Sequence, residues 1–450
     1  MALARKLCFA CVMLFIPAGR TPAQSPAAKR GQEALLSRAL LLPAWSLRAY
    51  QDLWKQIGIK DRPSPEAFAT LLRDHYGLHA PDFANDGLPM GLQKSKSLFM
   101  NGITTNCLLC HGGSLLGRSY VGLPNTSLDI QALFQDLSVG DGRSPKLPFT
   151  FSHVRGTTEA GAMTEFLLGW REPDLRMRPS RLDLGLHDEI CLDTPAWWLL
   201  KKKKTMYFTG SSDARSVRAL MQFMMSPLTI AARFGEEEKT FADIQSFLLT
   251  LEPPKYPFAI DRMLAKDGET LFRANCSRCH GVYGEHWTYP NKIVPIEEIG
   301  TDPQRFVAIG ATFIHYYNQS WFGKEKSGWL VDEMQARVTA GYQAPPLDGI
   351  WATAPYFHNG AVPTVYHVLN SSARPPRFTR TFGTDRDAYD STMLGWKYST
   401  SADACAEGAT PGTRRVYDTN KPGRSNRGHT YGDHLSEAER MAVIEYLKTL

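Results

Sequence analysis

Two copies of one short cysteine–histidine pattern constrain this chain more than any other feature. Each copy has two cysteines separated by two residues, with a histidine directly after the second cysteine: "CLLCH" at 107–111, the first motif, and "CSRCH" at 276–280, the second motif. The copies begin about 170 residues apart, and this spacing is typical of c-type haem attachment. From the residue counts, chance predicts on the order of 0.004 such matches in the whole chain.

Covalent haem attachment explains both the residue types and their spacing. Two thiols must reach the two vinyl groups of one porphyrin, and an imidazole must lie beneath the iron. The sequence therefore predicts two sites, each with two haem-attaching cysteines and one iron-ligating histidine: Cys107, Cys110 and His111 in the first motif, and Cys276, Cys279 and His280 in the second.

Zinc binding and dithiol redox chemistry fit the pattern less well. A structural zinc ion takes four ligands, whereas each motif offers three and has no second cysteine pair nearby. A redox dithiol does not need the histidine, and no βαβ pattern surrounds either motif. Two covalently bound haem c groups are therefore the predicted cofactors.

The first residues predict export from the cytoplasm. Arg5 and Lys6 precede a short apolar run over 7–16, and compact residues follow as far as Ala23, the predicted cleavage point. The apolar run is too short to span a membrane, and no longer apolar run predicts a transmembrane segment. We expect a signal peptide over residues 1–23 and a periplasmic or secreted protein, which agrees with haem attachment outside the cytoplasm.

The length and composition of the chain predict the class of protein and the number of domains. The chain has 450 residues, of which 43% are hydrophobic and 21% charged, as in ordinary globular proteins of two to three domains. The net charge of +6 is too small to argue for a nucleic-acid partner. Proline-rich "EPPKYPF", 252–258, marks the main boundary. The predicted divisions are the signal peptide 1–23, an N-terminal helical extension 24–94, an N-terminal haem c module 95–256 and a C-terminal cytochrome c module 257–450.

The hydrophobic pattern predicts a mostly α fold. We expect two cytochrome c-like helical modules with long irregular loops and few short strands. The stretches "SSDARSVRALMQFMM" and "LSEAERMAVIEYL" have apolar residues at helical spacing. The second stretch begins with a capping box, Ser436 followed by Glu439. Few runs alternate with period two, so little sheet is expected.

The second axial ligand of each haem decides its chemistry. An iron with two strong protein ligands transfers electrons, whereas an iron with an open face binds oxygen or peroxide. His429, in "SNRGHTYG" just before the last helix, and His358, in "APYFHNG", are the main histidine candidates. The lesser candidates are His153, His187 and His367, with Met393 as the best methionine option for the second haem.

Cysteines outside the two motifs leave one question open. Cys8 and Cys11 lie within the predicted signal peptide. An oxidising compartment would allow Cys191 and Cys405 to form a disulfide. Two unpaired buried thiols remain the alternative, because sequence does not fix connectivity.

One segment resembles a known family. "DGIWATAPYFHNGAVPTVYHVL", 348–369, is similar to a segment of bacterial di-haem c-type cytochromes of the cytochrome c peroxidase superfamily. The resemblance is closest to the branch that contains the rubber oxygenases. "DTPAWWLLKKKKTMYFTG", "IGTDPQR" and "NRGHTYGDHLSEAERMAVIEYLKTL" agree with it, and together these pieces fall within residues 95–450.

The resemblance implies two cytochrome c-like modules that face one another and an asymmetry between their haems. In the rubber oxygenase branch two histidines hold the C-terminal haem, and His429 matches the second of them. The distal face of the N-terminal haem stays available for oxygen, in an apolar pocket to which Tyr207, Phe208 and Phe223 are the matching candidates. Each of these aromatics is equally well explained as ordinary core packing.

The resemblance to the plain peroxidases is weaker at one position. Those enzymes carry a methionine ligand about fourteen residues after the Phe-His-Asn/Ser-Gly segment, and this chain has Ser372 there. Calcium is known between the modules of the superfamily, but no acidic cluster in this sequence locates a calcium site.

Two further stretches are candidates for electron transfer. Trp197 and Trp198 are candidates for a path between the haems, with core packing as the alternative. The four lysines at 201–204 would attract an acidic electron partner, or form a solvated face.

The sequence as a whole predicts an exported di-haem c-type cytochrome that acts as a haem oxidoreductase. The N-terminal haem binds peroxide or dioxygen, and the C-terminal haem transfers electrons. The partner is an electron donor or acceptor protein or a small redox molecule. The alternative is a non-catalytic electron-transfer cytochrome in which both irons have two protein ligands, and a structural or partner-binding module is a third hypothesis. The substrate and the oligomeric state do not follow from the sequence.

Overall fold

The structure is a computed structural model that describes residues 24–98, 100–185, 190–326, 334–400 and 412–450. The predicted signal peptide, His187 and Cys405 lie outside these described residues. Within the part of the chain described, no helix is long and apolar enough to cross a membrane.

The prediction of a mostly α fold is wrong. Of the residues that the structure describes, only 39% are helical and 13% are in strands, and the strands form several small sheets. The strands are two to five residues long, too short for a period-two pattern to be recognised in the sequence. The 36 glycines and 29 prolines also interrupt helices over long stretches. The architecture is therefore a mixture of helices, small sheets and irregular loops.

The helices are mostly short and are distributed along the whole chain. In the described residues the α-helices are α1 Pro26–Ser37, α2 Leu47–Gln51, α3 Leu53–Gln56, α4 Pro65–Tyr76, α5 Leu108–His111, α6 Ile130–Gly140, α7 Ala160–Gly169, α8 Val217–Met221, α9 Ala231–Leu248, α10 Arg262–Asn275, α11 Ser277–His280, α12 Ile296–Ile299, α13 Gln304–Ala308, α14 Ala311–Gln319, α15 Val365–Leu369 and α16 Glu437–Leu447. The predicted capping box of the last helix is confirmed, since Ser436 and Glu439 satisfy each other's backbone N–H groups.

Two helix pairs form the main helical contacts, and each depends on a glycine. Helix α1 packs on α9, and α10 packs on α16. A Cβ at Gly31 would lie 1.9 Å from the Asp243 carbonyl oxygen, and one at Gly268 would lie 1.9 Å from that of Ala442. Only glycine permits this approach. Helix α10 ends directly before the second motif, so its packing on α16 helps to position that motif.

The strands pair antiparallel in small separate sheets. In chain order the described strands are β1 Trp45–Ser46, β2 Leu92–Lys96, β3 Asn101–Thr105, β4 Gly112–Leu115, β5 Arg118–Val121, β6 Thr205–Met206, β7 Ser212–Asp213, β8 Ile293–Pro295, β9 Gly341–Gln343, β10 Arg377–Thr379, β11 Tyr389–Asp390, β12 Gly395–Trp396, β13 Ser399–Thr400 and β14 Val416–Asp418. The sheet orders are β1-β3-β2, β4-β5, β6-β7, β8-β9, β11-β12 and β13-β10-β14. Strands β3 and β4 flank the first motif.

The buried core connects the two halves of the chain. Trp198 is 1% exposed and belongs to the same hydrophobic cluster as Phe272 of α10 and Trp351. A second cluster joins Leu35 of α1 with Phe241 of α9. These contacts do not test the predicted domain boundaries, but Trp198 of one predicted module packs in the same cluster as Phe272 and Trp351 of the other.

Candidate functional site

Both cysteine–histidine motifs open into one cavity. Its volume is about 560 Å³, and its walls are mainly apolar. The walls include all six motif residues predicted from the sequence, together with His429: Cys107, Cys110, His111, Cys276, Cys279 and His280. An apolar cavity between paired thiols and an imidazole is the environment that a covalent haem requires.

His280 of the second motif has one ring nitrogen fixed and the other free. Its Nδ1 lies 2.8 Å from the Pro345 carbonyl oxygen. A carbonyl only accepts, so Nδ1 carries the proton and Nε2 presents its lone pair. Burial lowers the pKa of His280, which keeps the ring neutral and able to bind a metal.

His429 lies opposite His280 at the distance expected for shared ligation. The two ring centroids are 6.2 Å apart, with the ring planes at 59°. Metal–imidazole bonds are about 2.0–2.1 Å long, so two imidazoles on one iron place their centroids roughly 6 Å apart. Burial, with a smaller contribution from His280, lowers the pKa of His429 to about 3. The pair therefore fits a haem iron with two neutral imidazole ligands.

The loop that presents His429 depends on glycine. Gly428 has a φ of 75° and His429 a φ of 47°. A Cβ at Gly428 would lie 2.2 Å from the Gly300 carbonyl carbon, so the loop can approach α12 only with glycine there. The His429 N–H then donates to the Ile299 carbonyl at 2.8 Å, which fixes the histidine backbone.

Arg374 ties this loop to the rest of the site. Its guanidinium is 9% exposed and donates to five backbone carbonyls: those of His367, Val368, Asn426, Gly428 and His429. Burial lowers the pKa of Arg374 to about 10, so it remains charged at neutral pH. The planar guanidinium of an arginine can donate to several carbonyls at once. Arg374 therefore stabilises the loop that carries His429.

His111 of the first motif is held by an indole ring. Trp197 stacks on it with ring centroids 4.4 Å apart and planes at 20°. The Gly122 N–H donates to the His111 carbonyl at 2.7 Å, and the Trp197 N–H donates to the Gly122 carbonyl at 3.0 Å. Burial lowers the pKa of His111 to about 3, and the nearby Pro195 carbonyl acts in the opposite direction.

The next residue, Trp198, connects this region to the second motif. Its indole N–H donates to the Asp348 carbonyl at 2.8 Å. Asp348 lies three residues after Pro345, whose carbonyl accepts from His280. The connection from His111 to His280 thus consists of the stacked Trp197 ring, its chain neighbour Trp198, the hydrogen bond of Trp198 to Asp348, and the hydrogen bond between Pro345 and His280.

One segment that lines the cavity is similar to a known family. Residues 341–379 match the RoxA-like, cytochrome c-like family. The RoxA-like segment contains Pro345, Asp348, His358 and Arg374. The match supports a RoxA-related c-type cytochrome and implies binding of haem c.

Two curated relatives cover larger parts of the chain. The uncharacterized protein y4iM of Sinorhizobium fredii is 28% identical over 298 residues, which cover 57% of this chain and 64% of that protein. The uncharacterized protein y4iJ of the same organism is 29% identical over 260 residues, covering 44% of this chain and 41% of that protein. The chain therefore spans less than two thirds of the length of either relative.

The aromatic candidates Tyr207, Phe208 and Phe223 all line the cavity. The Tyr207 hydroxyl donates to the Ala219 carbonyl at 2.7 Å and accepts from the Gln222 side chain. Burial raises the pKa of Tyr207, so this phenol is a neutral donor. The wall near these aromatics thus combines apolar rings with a polar group.

Other histidine candidates occupy different environments. His358 of the RoxA-like segment stacks on Tyr342, with ring centroids 4.1 Å apart, and lines the cavity. His367 has both ring nitrogens in hydrogen bonds, with Thr364 at 2.6 Å and Tyr398 at 3.1 Å, which leaves no lone pair for a metal. Of these two, only His358 remains available as a ligand.

Several buried polar atoms around the cavity lack a partner within the described residues. They are His111 Nδ1, Asp193 Oδ1, Thr301 Oγ1, Arg305 Nε and Nη1, Tyr317 Oη, Gln343 Oε1, His358 Nε2 and His429 Nδ1. Buried polar atoms in native proteins nearly always have partners. Unpartnered polar atoms on residues that line one cavity fit an occupant with polar groups of its own, as a haem with its propionates has.

The lysine run at 201–204 is neither a uniform solvated face nor a single docking patch. Lys201 pairs with Glu252, and Lys202 pairs with Asp348 at 2.7 Å. Lys203 lines the cavity, and Lys204 is exposed. The four lysines therefore differ in environment, because Lys201 and Lys202 lie on the 3-10 helix Trp197–Lys202, whereas Lys203 and Lys204 follow it.

Cys191 is fully buried, with its sulfur 3.6 Å from the Thr157 hydroxyl and 3.8 Å from that of Tyr417. Because Cys405 lies outside the described residues, their pairing stays a prediction.

Proposed function

We propose that this chain is an exported di-haem c-type cytochrome that acts as a redox enzyme on peroxide or dioxygen. Cys107 and Cys110 attach one haem, and Cys276 and Cys279 attach the other. The observation that most directly supports the proposal is the facing pair His280 and His429, 6.2 Å apart, in a cavity shared with the first motif. The RoxA-like segment supports the cytochrome c assignment.

The residues around the two motifs suit the two sites to different roles. Haem c supplies one-electron chemistry and, where an axial position is open, a site for oxygen or peroxide. A haem attached at the second motif would have His280 and His429 as its iron ligands, and this would suit that site to electron transfer. Within the described residues, no second imidazole faces His111 as His429 faces His280. A haem attached at the first motif would have His111 as its iron ligand, and its other side would be available to a small molecule in the cavity that Tyr207, Phe208 and Phe223 also line.

Trp197 and Trp198 serve electron passage between the sites. Trp197 covers the His111 ring, and Trp198 is hydrogen-bonded to the segment that orients His280. The Trp198 indole is fixed by its hydrogen bond to the Asp348 carbonyl, and the Trp197 indole is fixed by its stacking on His111. The electron partner itself is a donor or acceptor protein or a small redox molecule.

One observation favours the alternative of a non-catalytic electron carrier. The buried His358 Nε2 has no partner within the described residues and belongs to the cavity wall. If it bound the iron of the first motif, both haems would have two histidine ligands and neither would react with oxygen.

Rapid mixing separates the two functions. Fully reduced protein is mixed with oxygen or hydrogen peroxide, and the absorbance of each haem is followed. The proposal predicts fast oxidation that begins at the haem of the first motif. The electron-carrier alternative predicts no fast reaction in the natural protein and its appearance in His358→Ala.

A further inference from the structure

Arg305 presents a buried charge to the cavity. It lies on α13, is 6% exposed and forms part of the cavity wall. Its guanidinium Nε and Nη1 have no hydrogen-bond partner within the described residues. A buried guanidinium that stays unpaired is strongly destabilising, so an arginine at this position requires an anionic acceptor from the cavity.

The nearby carboxyl groups do not supply that acceptor. Glu165 makes no hydrogen bond within the described residues, and burial raises the pKa of its carboxyl to about 8, so it is mostly protonated at neutral pH. Glu159 accepts from the Cys191 N–H at 2.7 Å. Both carboxyl groups attract Arg305 electrostatically, but neither bonds its Nε or Nη1.

Arg305 also contacts residues of the other predicted module. It belongs to the segment 257–450, yet its guanidinium packs on Gly161 at the start of α7, where a Cβ would lie 3.5 Å from the Arg305 Cζ. Tyr207, a wall residue of the 95–256 segment, is another of its neighbours. The guanidinium is therefore placed beside the region that surrounds the first motif.

We propose that Arg305 is the counter-ion of a propionate carboxylate of the haem attached at Cys107 and Cys110. The propionates are the anionic groups of a haem, and they lie away from the vinyl groups that the cysteines capture. A guanidinium matches a carboxylate with two parallel N–H···O bonds. This inference rests on the proposed function, because it requires a haem at the first motif.

Such a contact has two consequences for the protein. It ties a residue of one predicted module to the cofactor of the other, and it places a fixed positive charge near that haem. A nearby positive charge favours the reduced iron, which carries one positive charge fewer, so Arg305 raises the reduction potential of this haem.

The test compares Arg305→Gln and Arg305→Lys with a control, Arg215→Gln. Arg215 is 72% exposed and pairs with Asp213 at the surface, so its loss makes the same change in net charge outside the cavity. Haem content, the midpoint potential of each haem and the propionate bending bands in resonance Raman spectra are measured on the holoprotein. Arg305→Gln is expected to lower the potential of the first-motif haem and shift its propionate band, and Arg215→Gln to change neither.

The lysine variant keeps the test decisive if the glutamine variant does not fold. Lysine retains the charge but not the fork, so the propionate band is expected to shift while the potential stays near that of the natural protein. A protein with two haems whose band and potential are unchanged in the Arg305 variants overturns this inference and leaves the proposed function intact. A natural protein with no haem at the first motif overturns both.

Discussion

The indole of Trp197 lies on the imidazole of His111, with ring centroids 4.4 Å apart and planes at 20°. This stacking places an aromatic ring directly behind the proximal histidine of the first motif. The neighbouring Trp198 reaches the Asp348 carbonyl, close to the proline that orients His280. The two candidate haem sites are thereby linked through adjacent residues of one 3-10 helix.

Replacing Trp197 is expected to slow electron exchange between the haems. Trp197→Leu keeps an apolar side chain but removes the stacked ring, so the rate is expected to fall about tenfold, equivalent to roughly 1.4 kcal/mol of barrier. Laser photolysis of carbon monoxide from the half-reduced protein measures this rate. Trp287→Leu is the control, because that indole is 48% exposed and contacts Lys202 at the surface. Equal rates in the two variants would show that Trp197 only fills space.

Replacing His429 is expected to open the second haem. His429→Ala removes one of the two imidazoles, so the low-spin spectrum of that haem converts to a five-coordinate or water-ligated one. Electron paramagnetic resonance of the oxidised protein measures the change. The matched control is His434→Ala, an exposed histidine that bonds Asn275. An unchanged low-spin population would reject His429 as the ligand and bring His358 or Met393 forward.

Arg374→Lys is expected to loosen the His429 loop. A lysine keeps the charge but cannot reach five carbonyls at once, so the loss is estimated at about 2–4 kcal/mol of unfolding free energy. A partial high-spin signal should accompany it, since the loop presents the ligand. Thermal unfolding and spin-state spectra measure both effects. Arg386→Lys, at an exposed arginine over Phe258, serves as the control, and equal behaviour of the two variants would contradict the role of Arg374.

Because the Glu165 carboxyl is buried, we predict that the free energy of unfolding depends on pH. Burial raises the pKa of its carboxyl from 4.5 to about 8, against an opposing effect of Arg305. The folded protein then holds a proton that the unfolded chain has lost, so stability decreases as the pH rises from about 4.5 to about 8. Glu165→Gln stays neutral and should remove a decrease on the order of 2–4 kcal/mol. Urea unfolding at pH 5, 6.5 and 8 measures it, and identical slopes for both proteins would contradict the buried carboxyl.

Local chemical patterns were predictable from the sequence, and long-range contacts were not. The two motifs and the capping box at Ser436 are short runs whose meaning depends only on neighbouring residues. His429 was proposed from its glycine-flanked loop and a family resemblance, and the structure brings it opposite His280. In contrast, the contacts of Arg374 and Arg305 join residues far apart in the chain, and an isolated arginine has no periodic pattern that marks it.

The error in fold class has a related cause. Helical periodicity is visible over three turns, as in α16, whereas a strand such as β6 has only two residues. Such a strand is defined by its pairing with β7, which no local pattern reveals. Counting the visible helices therefore overestimated the helical content.

Carbon monoxide binding to the fully reduced protein tests the central claim most directly. The claim is that two haems share one cavity, one closed by His280 and His429 and the other open opposite His111. Haem content is measured by mass spectrometry, and carbon monoxide is titrated against it. We predict two haems and about one bound carbon monoxide, with the binding lost when Cys107 and Cys110 are replaced by alanine. Binding at neither haem, or only at the haem of the second motif, would contradict the account.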